Sequence, residues 1–319
     1  MRRFIPVFAT FAVLIALFAT ASGMYERFFT ARVIANLFSD NAFLGITAIG
    51  MTFVILSGGI DLSVGAVLAF TMTFIASMIT DHSWHPLVAI PTALIIGTVF
   101  GGTMGFLIQR YELPPFLVTL AGMFFARGMA FMVSSESISI EHDFYTALQD
   151  LKIVVGPKAK LKIGAVIFLA VLALAIFVAH WTPFGRNIYA IGGNESSARL
   201  MGLPVASTKM LIYALNGFCS ALAGAVATLY MGSGNPAMGV GLELDAIAAV
   251  VIGGTLLTGG VGFVAGTLGG VLIFGTIQSA LIFDGRLNSW WLRIAISVLL
   301  LIFILLQRQL SRFTKTSRT

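Results

Sequence analysis

The sequence predicts an all-α polytopic membrane protein with about ten transmembrane segments, some of them discontinuous, and with an internal pseudo-repeat. Hydrophobic residues make up 58% of the 319 residues and charged residues only 10%, and the mean hydropathy is +0.98. These values lie far outside the range of soluble globular proteins. The apolar residues also fall into long runs, and the 34 glycines suit helices that pack closely in lipid.

Ten apolar runs define the predicted segments, because a membrane span needs about 17 to 25 apolar residues. The second and third runs are of marginal length, and the eighth is too short and too rich in glycine for an ordinary span. In order, the runs are 4–22, 41–57, 64–80, 86–108, 115–133, 163–181, 210–231, 246–258, 261–283 and 289–306.

The first run has the basic head and apolar middle of a signal peptide. It is long enough to cross a membrane and many apolar runs follow it, so we expect an uncleaved first span. After it, residues 27–38 place Phe28, Val33 and Leu37 on a helical pattern with two arginines. This pattern predicts an amphipathic helix at the membrane interface.

Basic residues at the two ends predict the orientation. Arg2 and Arg3 precede the first run, and the tail 308–319 contains four further basic residues. Basic residues favour the cytoplasmic side, so both termini are expected there and the number of crossings should be even. The whole chain, 1–319, then forms one transmembrane domain in the inner membrane, with 134–162 as a periplasmic loop and 182–209 as a cytoplasmic loop.

The chain repeats itself at an offset of 201 residues. This offset places ILSGGIDLSVG (55–65) over LLTGGVGFVAG (256–266), with Gly58 over Gly259 and Gly59 over Gly260. Both copies interrupt an apolar stretch in the same way. Chance matching of small and apolar residues is the alternative, but paired glycine-broken segments are typical of transport sites in repeat-built carriers.

The segment 55–65 predicts a helix that breaks inside the membrane. Gly58 and Gly59 can end one helix, and Asp61 or Ser63 can cap the next by accepting from its free N–H groups. A break in a helix leaves backbone N–H and C=O groups without hydrogen-bond partners in the lipid. Such a break is therefore tolerated only where the backbone faces protein or a water-filled cavity. The segment is therefore interpreted as lining or gating a pathway, with a simple structural cap as the alternative.

Two acids precede the second broken segment. Glu243 and Asp245 could bind a cation or relay protons, or they could cap a helix that enters the membrane, which is the favoured interpretation. Arg127 and Arg293 lie in or near predicted spans and can pair with these acids or extend to the interface.

Several kinds of site are excluded by the sequence. The chain has no G-x-x-x-x-G-K-[ST] motif, so it does not bind ATP in a P-loop, and it has no G-x-S-x-G nucleophile elbow. The four histidines lack zinc-protease spacing, and Cys219 is the only cysteine. No catalytic site, metal site or cofactor is predicted. The net charge of +6 is assigned to cytoplasmic loops and not to nucleic acid.

Three ordered motifs carry a family resemblance: VILSGGIDLSVGA (54–66), YAIGGNESSARLMGL (189–203) and VGLELDAIAAVVIGGTLLTGGVG (240–262). Together they resemble the permease subunits of bacterial ABC importers of the ribose/monosaccharide type, which are more distantly related to the branched-chain amino acid permeases. The stretch 41–65, TLAGMFF (119–125) and the tail SWWLRIAISVLLLIFILLQR resemble most closely the permease of the galactofuranose importer.

The resemblance implies about ten membrane segments, both ends in the cytoplasm, and a monosaccharide pathway between two permease chains. It also implies a periplasmic sugar-binding protein and a cytoplasmic ABC ATPase, which explains the missing P-loop. Asn194 is expected to cap a short helix that ends at Gly202 and that the ATPase could grip. The residues that match the family's coupling motif are Gly192, Gly193, Asn194, Ala198 and Gly202.

The second permease chain can be identical or related, and the galactofuranose resemblance favours a related one. An alternative is a secondary carrier coupled to protons or sodium through Glu243 and Asp245, and a membrane-embedded enzyme is a third possibility without a residue set to support it. Candidates for the pathway or its gate are Ser57, Gly58, Gly59, Asp61, Ser63, Asn216, Glu243, Asp245, Thr258, Gly259 and Gly260.

Overall fold

The computed structural model describes residues 5–156, 159–286 and 290–316, and within them the chain is mostly helical. Each predicted apolar run overlaps a helix in its described part, although the run 246–258 is helical only as far as Ile252. The helices are α1 (Ile5–Met24), α2 (Ala31–Asp40), α3 (Ala42–Leu56), α4 (Val64–Thr80), α5 (Pro86–Arg110), α6 (Pro115–Val133), α7 (Asp143–Asp150), α8 (Ile163–Trp181), α9 (Pro183–Gly193), α10 (Glu195–Leu200), α11 (Val205–Met231), α12 (Leu242–Ile252), α13 (Val264–Asp284) and α14 (Trp290–Thr316).

Six of these helices are long and apolar enough to cross a membrane: α1, α5, α6, α8, α11 and α13. The pair α2 and α3, bent by 55° at its junction, makes a seventh if it is counted as one span. Helix α4 and the stretch Trp290–Leu305 are shorter apolar helices. The structure therefore supports an all-α membrane fold, and the figure of about ten crossings stays a prediction.

The predicted amphipathic helix 27–38 is observed as α2, which begins later, at Ala31. The Thr30 hydroxyl accepts a hydrogen bond from Val33 N (3.3 Å) and caps the helix. Val33 and Leu37 are buried, as is Phe28 just before the helix. These apolar side chains turn α2 towards the protein and fix its bend into α3.

Two polar regions mark opposite ends of the molecule. The predicted loop 134–162 carries α7 and short strands that the sequence did not predict, and we call its end the hairpin end. Here β1 (Ile138–Ser139) pairs antiparallel with β4 (Ser233–Gly234), and β2 (Lys152–Gly156) with β3 (Ala159–Lys162). The other predicted loop, 182–209, carries α9 and α10, and its end is the α10 end.

The chain's charged termini fall largely outside what the structure describes. Arg2, Arg3 and Arg318, on which the predicted orientation partly depends, lie outside the described residues. Helix α14 continues to Thr316, so the predicted tail 308–319 begins inside a helix.

Helices α5 and α11 form the closest helix pair, along a stripe of glycines. A Cβ added to Gly101 would overlap the Tyr213 carbonyl oxygen, and one on Gly217 would overlap the Gly97 carbonyl oxygen. At Gly105 an added Cβ would lie 2.9 Å from the Cα of Met210. Small residues at four-residue spacing let two backbones touch in this way, which is a common helix contact in membranes.

The internal repeat is visible in the structure as two broken elements. Helices α3 and α4 flank residues 57–63, and α12 and α13 flank residues 253–263; we name these the first and second glycine loops. The copies pack together, and the hydroxyls of Thr52 in α3 and Thr267 in α13 are hydrogen-bonded at 2.7 Å in the interior. The repeat thus brings two broken helices into one core.

Candidate functional site

The first glycine loop begins where the sequence predicts the helix to end. Helix α3 stops at Leu56, and Gly58 adopts a left-handed backbone with φ +81°. Gly58 N donates to Ile55 O (2.9 Å) and Gly59 N donates to Val54 O (3.0 Å). These bonds satisfy the last carbonyls of the helix in the pattern that glycine-ended helices use. The prediction that a helix ends at Gly58 and Gly59 is confirmed.

The second glycine loop begins earlier than the repeat predicts. Helix α12 ends at Ile252, and Gly254, with φ +93°, donates to Val251 O at 2.9 Å. This is the same kind of helix ending, but it uses the glycine pair 253–254 and not the aligned pair Gly259 and Gly260. The aligned pair lies inside the loop, with φ values of +81° and +73°.

The two glycine loops meet each other and the end of α9. Gly260 N donates to Leu56 O at 2.9 Å, which joins the two copies of the repeat. A Cβ on Gly259 would lie 2.8 Å from Gly58 N. Gly192 fills the space between the loops, because a Cβ there would overlap the Leu56 carbonyl and lie 2.5 Å from Gly260 N. The predicted coupling residue Gly192 therefore contacts both halves of the repeat.

Asp61 is buried and holds the first glycine loop from within. Its side chain is 1% exposed, and Oδ1 accepts from Ser63 N (2.8 Å) and Ser63 Oγ (2.7 Å). Oδ2 accepts from Asn216 Nδ2 (2.8 Å), so a partner on α11 anchors the loop. The predicted cap was wrong: Ser63 occupies the cap position of α4 without a side-chain cap bond, and Asp61 binds Ser63 itself.

Tyr213 belongs to the same buried polar cluster, which we define as Asp61, Ser63, Tyr213 and Asn216. The Tyr213 hydroxyl and Asn216 Oδ1 are buried without a hydrogen-bond partner among the described residues. A Cβ on Gly59 would lie 2.5 Å from that hydroxyl. The sequence analysis missed Tyr213, although its position one turn before Asn216 on α11 could have indicated it.

A small cavity of about 40 Å³ lies beside Tyr213. Its lining also includes Gly59 of the first glycine loop and Glu195 and Lys209. It is polar and large enough to hold water. The cavity joins the buried polar cluster to the α10 end of the molecule.

The second glycine loop has no acid and is more exposed. Gly262 stands where the repeat offset matches Asp61, and its carbonyl accepts from the Tyr189 hydroxyl at 2.9 Å. Burial raises the pKa of Tyr189 to about 12, so its hydroxyl stays protonated and able to donate. Thr258 is exposed, while Thr255 Oγ1 is buried with no partner in the described part of the chain.

The acid pair stands in the first turn of α12. Gly241, with φ +85°, occupies the cap position without a side-chain cap bond, so neither acid forms the expected cap. Glu243 lies close enough to Arg127, and Asp245 to Arg293, for electrostatic attraction, but neither pair forms an ion pair within 4.0 Å among the described residues. Acids in a first turn also interact favourably with the helix dipole.

Arg127 fastens the segment that leads into α12. One of its guanidinium nitrogens donates to Pro236 O and to Met238 O, both at 2.6 Å. Beyond them, the backbone at Gly239 packs against Gly65 near the start of α4. In the described ranges no group of three or more His, Cys, Asp and Glu side chains could hold a metal ion.

The segment 194–202 projects from the α10 end; we call it the projecting segment. Asn194 Oδ1 accepts from Ser197 N at 2.7 Å, so the predicted cap of a short helix is confirmed. Gly202 has φ +77°, in line with its predicted place at the end of that helix. Ala198 is buried against Ile191, and it ties the segment to α9.

The outer surface of the projecting segment is apolar at its tip. Leu200 is 89% exposed and Met201 is 69% exposed. At the base, Glu195 forms ion pairs with Lys209 and Arg199. A short helix with a fixed base and an exposed apolar tip is suited to fit into a partner.

The predicted pathway candidates thus fall in three places and not in one. Asp61, Ser63 and Asn216 lie in the buried polar cluster, inside a single chain. Glu243 and Asp245 lie at the start of α12. The rest, Ser57, Gly58, Gly59, Thr258, Gly259 and Gly260, lie in the two glycine loops near Gly192.

Comparisons with known proteins place the chain in a family of transport permeases. The family described as "Branched-chain amino acid transport system / permease component" matches residues 33–305. The inner membrane ABC transporter permease protein YjfF of Escherichia coli is 50% identical over 98% of this chain and 94% of its own length.

Two further relatives have named sugars. The ribose import permease protein RbsC of Haemophilus influenzae is 41% identical over 95% of this chain and 93% of its own length. The fructose import permease protein FruG of Bifidobacterium longum is 39% identical over 96% of this chain and 92% of its own length. No solved structure matches the chain. The comparisons do not support the alternative of a secondary carrier.

Proposed function

The chain belongs to the family of branched-chain amino acid transport system permease components, and from this premise we propose that it is the permease of an ABC importer for a monosaccharide. It is a transport subunit and not an enzyme. ATP is hydrolysed by a partner subunit, in keeping with the missing P-loop.

The observation that carries the proposal is the position of Gly192 between the two glycine loops. The projecting segment follows directly after α9, and Gly192 at the end of α9 contacts Leu56 beside the first glycine loop and Gly260 in the second. A push on the projecting segment would therefore move the first and second glycine loops together. This is what an ATPase needs in order to change the shape of a permease, and the exposed Leu200 and Met201 offer it an apolar grip.

We propose an inner-membrane topology with about ten crossings and both termini in the cytoplasm. The α10 end then faces the ATPase and the hairpin end, with 134–162, faces the periplasm and a sugar-binding protein. The shorter helices α3, α4 and α12 and the apolar stretch Trp290–Leu305 account for the difference between six regular spans and ten. The basic residues near both termini support this orientation.

The pathway is proposed to lie between this chain and a second permease chain, identical or related. Asp61, Ser63 and Asn216 are buried within one chain, which supports a structural role for them in this conformation. Tight sugar binding in the permease would slow release, so selectivity is proposed to reside mainly in the binding protein.

The sugar itself is proposed to be galactofuranose or another furanose-form sugar. The support is the resemblance of 41–65, 119–125 and the tail to the permease of the galactofuranose importer. The ribose and fructose named for two relatives support a monosaccharide in general.

A pull-down of the tagged chain from its host in mild detergent tests the function. We expect a P-loop ATPase in stoichiometric amounts, and its loss when residues 195–201 are scrambled while expression is kept. As a matched control, residues 144–149 of α7 at the hairpin end are scrambled, and the ATPase should remain. A chain that purifies alone and transports sugar in vesicles without ATP contradicts the proposal.

A further inference from the structure

A cavity of about 340 Å³ lies at the α10 end, apart from the buried polar cluster and from the projecting segment. It opens between the end of α8, the first turns of α9 and the second glycine loop. Its lining includes His180, Arg186, Tyr189 and Phe263, together with Gly260 of the gate candidates. The cavity therefore borders the second glycine loop, and the proposed import function assigns no ligand to it.

The cavity has rigid walls on the α8–α9 side. A single residue, Thr182, joins the two helices, and its hydroxyl accepts from Gly185 N at 3.1 Å. Gly185 packs so closely that an added Cβ would overlap the carbonyl oxygens of Val178 and Ala179. The elbow is therefore fixed, and the cavity is a formed feature of the fold.

Aromatic rings and one hydrogen bond close the other side. The ring of His180 stacks on Tyr189 at 6.2 Å between centroids and lies 5.6 Å from Phe263. The Tyr189 hydroxyl donates to Gly262 O at 2.9 Å. The cavity thus shares a wall with the second glycine loop.

Two nitrogen-bearing side chains in the lining have no polar partner among the residues that the structure describes. Neither the guanidinium of Arg186 nor the imidazole of His180 forms a hydrogen bond or ion pair with another described residue. A guanidinium carries five N–H donors in a planar fork that fits phosphate oxygens in pairs. The lining therefore presents unused donors and a positive charge to whatever occupies the cavity.

The cavity lies at the level where a membrane surface would be. Helix α8 has 19 residues with a mean hydropathy of 2.7, so it can cross the hydrocarbon layer. It ends in Trp181, which is 65% exposed, and tryptophans at helix ends are typical of the lipid headgroup region. Arg186 is exposed and follows only one turn of α9 later, which suits the same headgroup level.

We propose that this cavity binds the phosphate of an anionic phospholipid headgroup, with Arg186 as the principal contact and His180 as a second donor. The acyl chains of that lipid run along the apolar surface of α8 past Phe177 and Leu174, both of which are exposed. A bound headgroup rests against Phe263 and stiffens the second glycine loop. The membrane's anionic lipid content then tunes how readily this loop moves.

Native mass spectrometry of the purified full-length chain tests the proposal. The protein is mixed with equal amounts of phosphatidylglycerol and phosphatidylcholine that carry identical short acyl chains. Among proteins with one bound lipid, we expect about ten times as many with phosphatidylglycerol as with phosphatidylcholine. This ratio is the effect of one charge-assisted bidentate contact. Arg186→Gln should abolish this preference, and Arg186→Lys should keep part of it because the charge remains.

The matched control is Arg110→Gln, which removes an exposed arginine from the last turn of α5 at the same end of the molecule. It should leave the preference unchanged. Equal binding of both lipids, an unchanged preference in Arg186→Gln, or an equal loss in Arg110→Gln overturns the proposal. Displacement of the lipid by millimolar inorganic phosphate would show a site for a free anion instead.

Each variant is first checked for wild-type helical content and elution volume. If Arg186→Gln does not fold, Arg186→Lys and His180→Gln carry the comparison, and an unchanged preference in both overturns the proposal. The lipid measurement uses the isolated chain, so its failure is distinguishable from a failed ATPase pull-down.

Discussion

The two glycine loops occupy matching positions of the predicted repeat but are held in different ways. The first is buried, and Asp61 binds it through three hydrogen bonds to Ser63 and Asn216. The second has Gly262 at the matching position, is partly exposed, and receives one side-chain hydrogen bond from Tyr189. Charge-assisted bonds are stronger than neutral ones. The comparison teaches that the first loop is an anchor and that the second is the part freer to move.

The largest effect is expected at the point where both loops meet. Gly192→Ala places a methyl group into the Leu56 carbonyl and 2.5 Å from Gly260 N, both of which are backbone atoms. The loops must separate, so we expect a loss above about 3 kcal/mol in the free energy of unfolding and no ATP-driven transport. SDS-titration unfolding in mixed micelles and sugar uptake into vesicles measure the two effects.

Gly193→Ala is the matched control for that prediction. Gly193 is exposed, and an added Cβ there meets nothing within 4 Å. Uptake and stability should stay close to wild type. If the two alanine variants behave alike, the loops do not depend on close packing at Gly192.

The second largest effect is expected for a substitution that acts on the first glycine loop and not on the second. Asp61→Ala leaves the N–H and hydroxyl of Ser63 and the amide of Asn216 without their acceptor, while the cost of burying the carboxylate disappears. The lost hydrogen bonds cost more free energy than is gained by no longer burying the carboxylate. We therefore expect a loss of about 2 to 3 kcal/mol in unfolding free energy. Asp81→Ala, at the exposed end of α4, is the control and should cost under about 1 kcal/mol. Equal losses would mean that Asp61 is no anchor.

A smaller effect is expected on the second loop alone. Tyr189→Phe removes the hydrogen bond to Gly262 and should cost about 1 kcal/mol. Hydrogen exchange should quicken in 256–263 and stay unchanged in 57–63, because Asp61 still holds the first loop. Tyr213→Phe is the control, since its hydroxyl has no partner among the described residues. A larger cost for Tyr213→Phe would reveal water binding in the neighbouring cavity.

The smallest effect compares matched hydroxyls. Thr258 is exposed, whereas Ser57, its counterpart in the repeat, is buried and donates to Val54 O at 2.7 Å. Thr258→Ala should therefore change the unfolding free energy by less than about 0.5 kcal/mol, and Ser57→Ala by about 1 kcal/mol. Thermal unfolding in detergent gives both values. Slower uptake in Thr258→Ala alone would show that the threonine contacts the solute or a partner.

Local signals predicted the parts of the site that depend on neighbouring residues. The apolar runs predicted the helices, Gly58 and Gly59 predicted a helix end, and Asn194 predicted a helix cap. These features could be predicted because each depends on hydrogen bonds between residues a few positions apart. The sequence analysis missed the early end of α12, because two glycine pairs, 253–254 and 259–260, could each end the helix. The repeat alignment favoured 259–260, whereas the helix ends at 253–254.

The rest of the site depends on tertiary packing. Nothing in the sequence places Gly192 between Leu56 and Gly260, which are far apart along the chain. The bond from Asn216 to Asp61 likewise needs the α11 helix to pass the first glycine loop. The two-residue strands β1 and β4 carry no alternating pattern to recognise.

The glycine stripe between α5 and α11 limits how this chain can vary. At Gly97, Gly101 and Gly217 only a hydrogen atom fits, because each position faces a neighbouring backbone or methyl group. Every single-base change that replaces a glycine adds at least one carbon atom or stops translation. Random libraries of this chain will therefore lose their members at these positions, and diversity is better introduced at the exposed residues Leu257, Thr258 and Val261 of the second glycine loop.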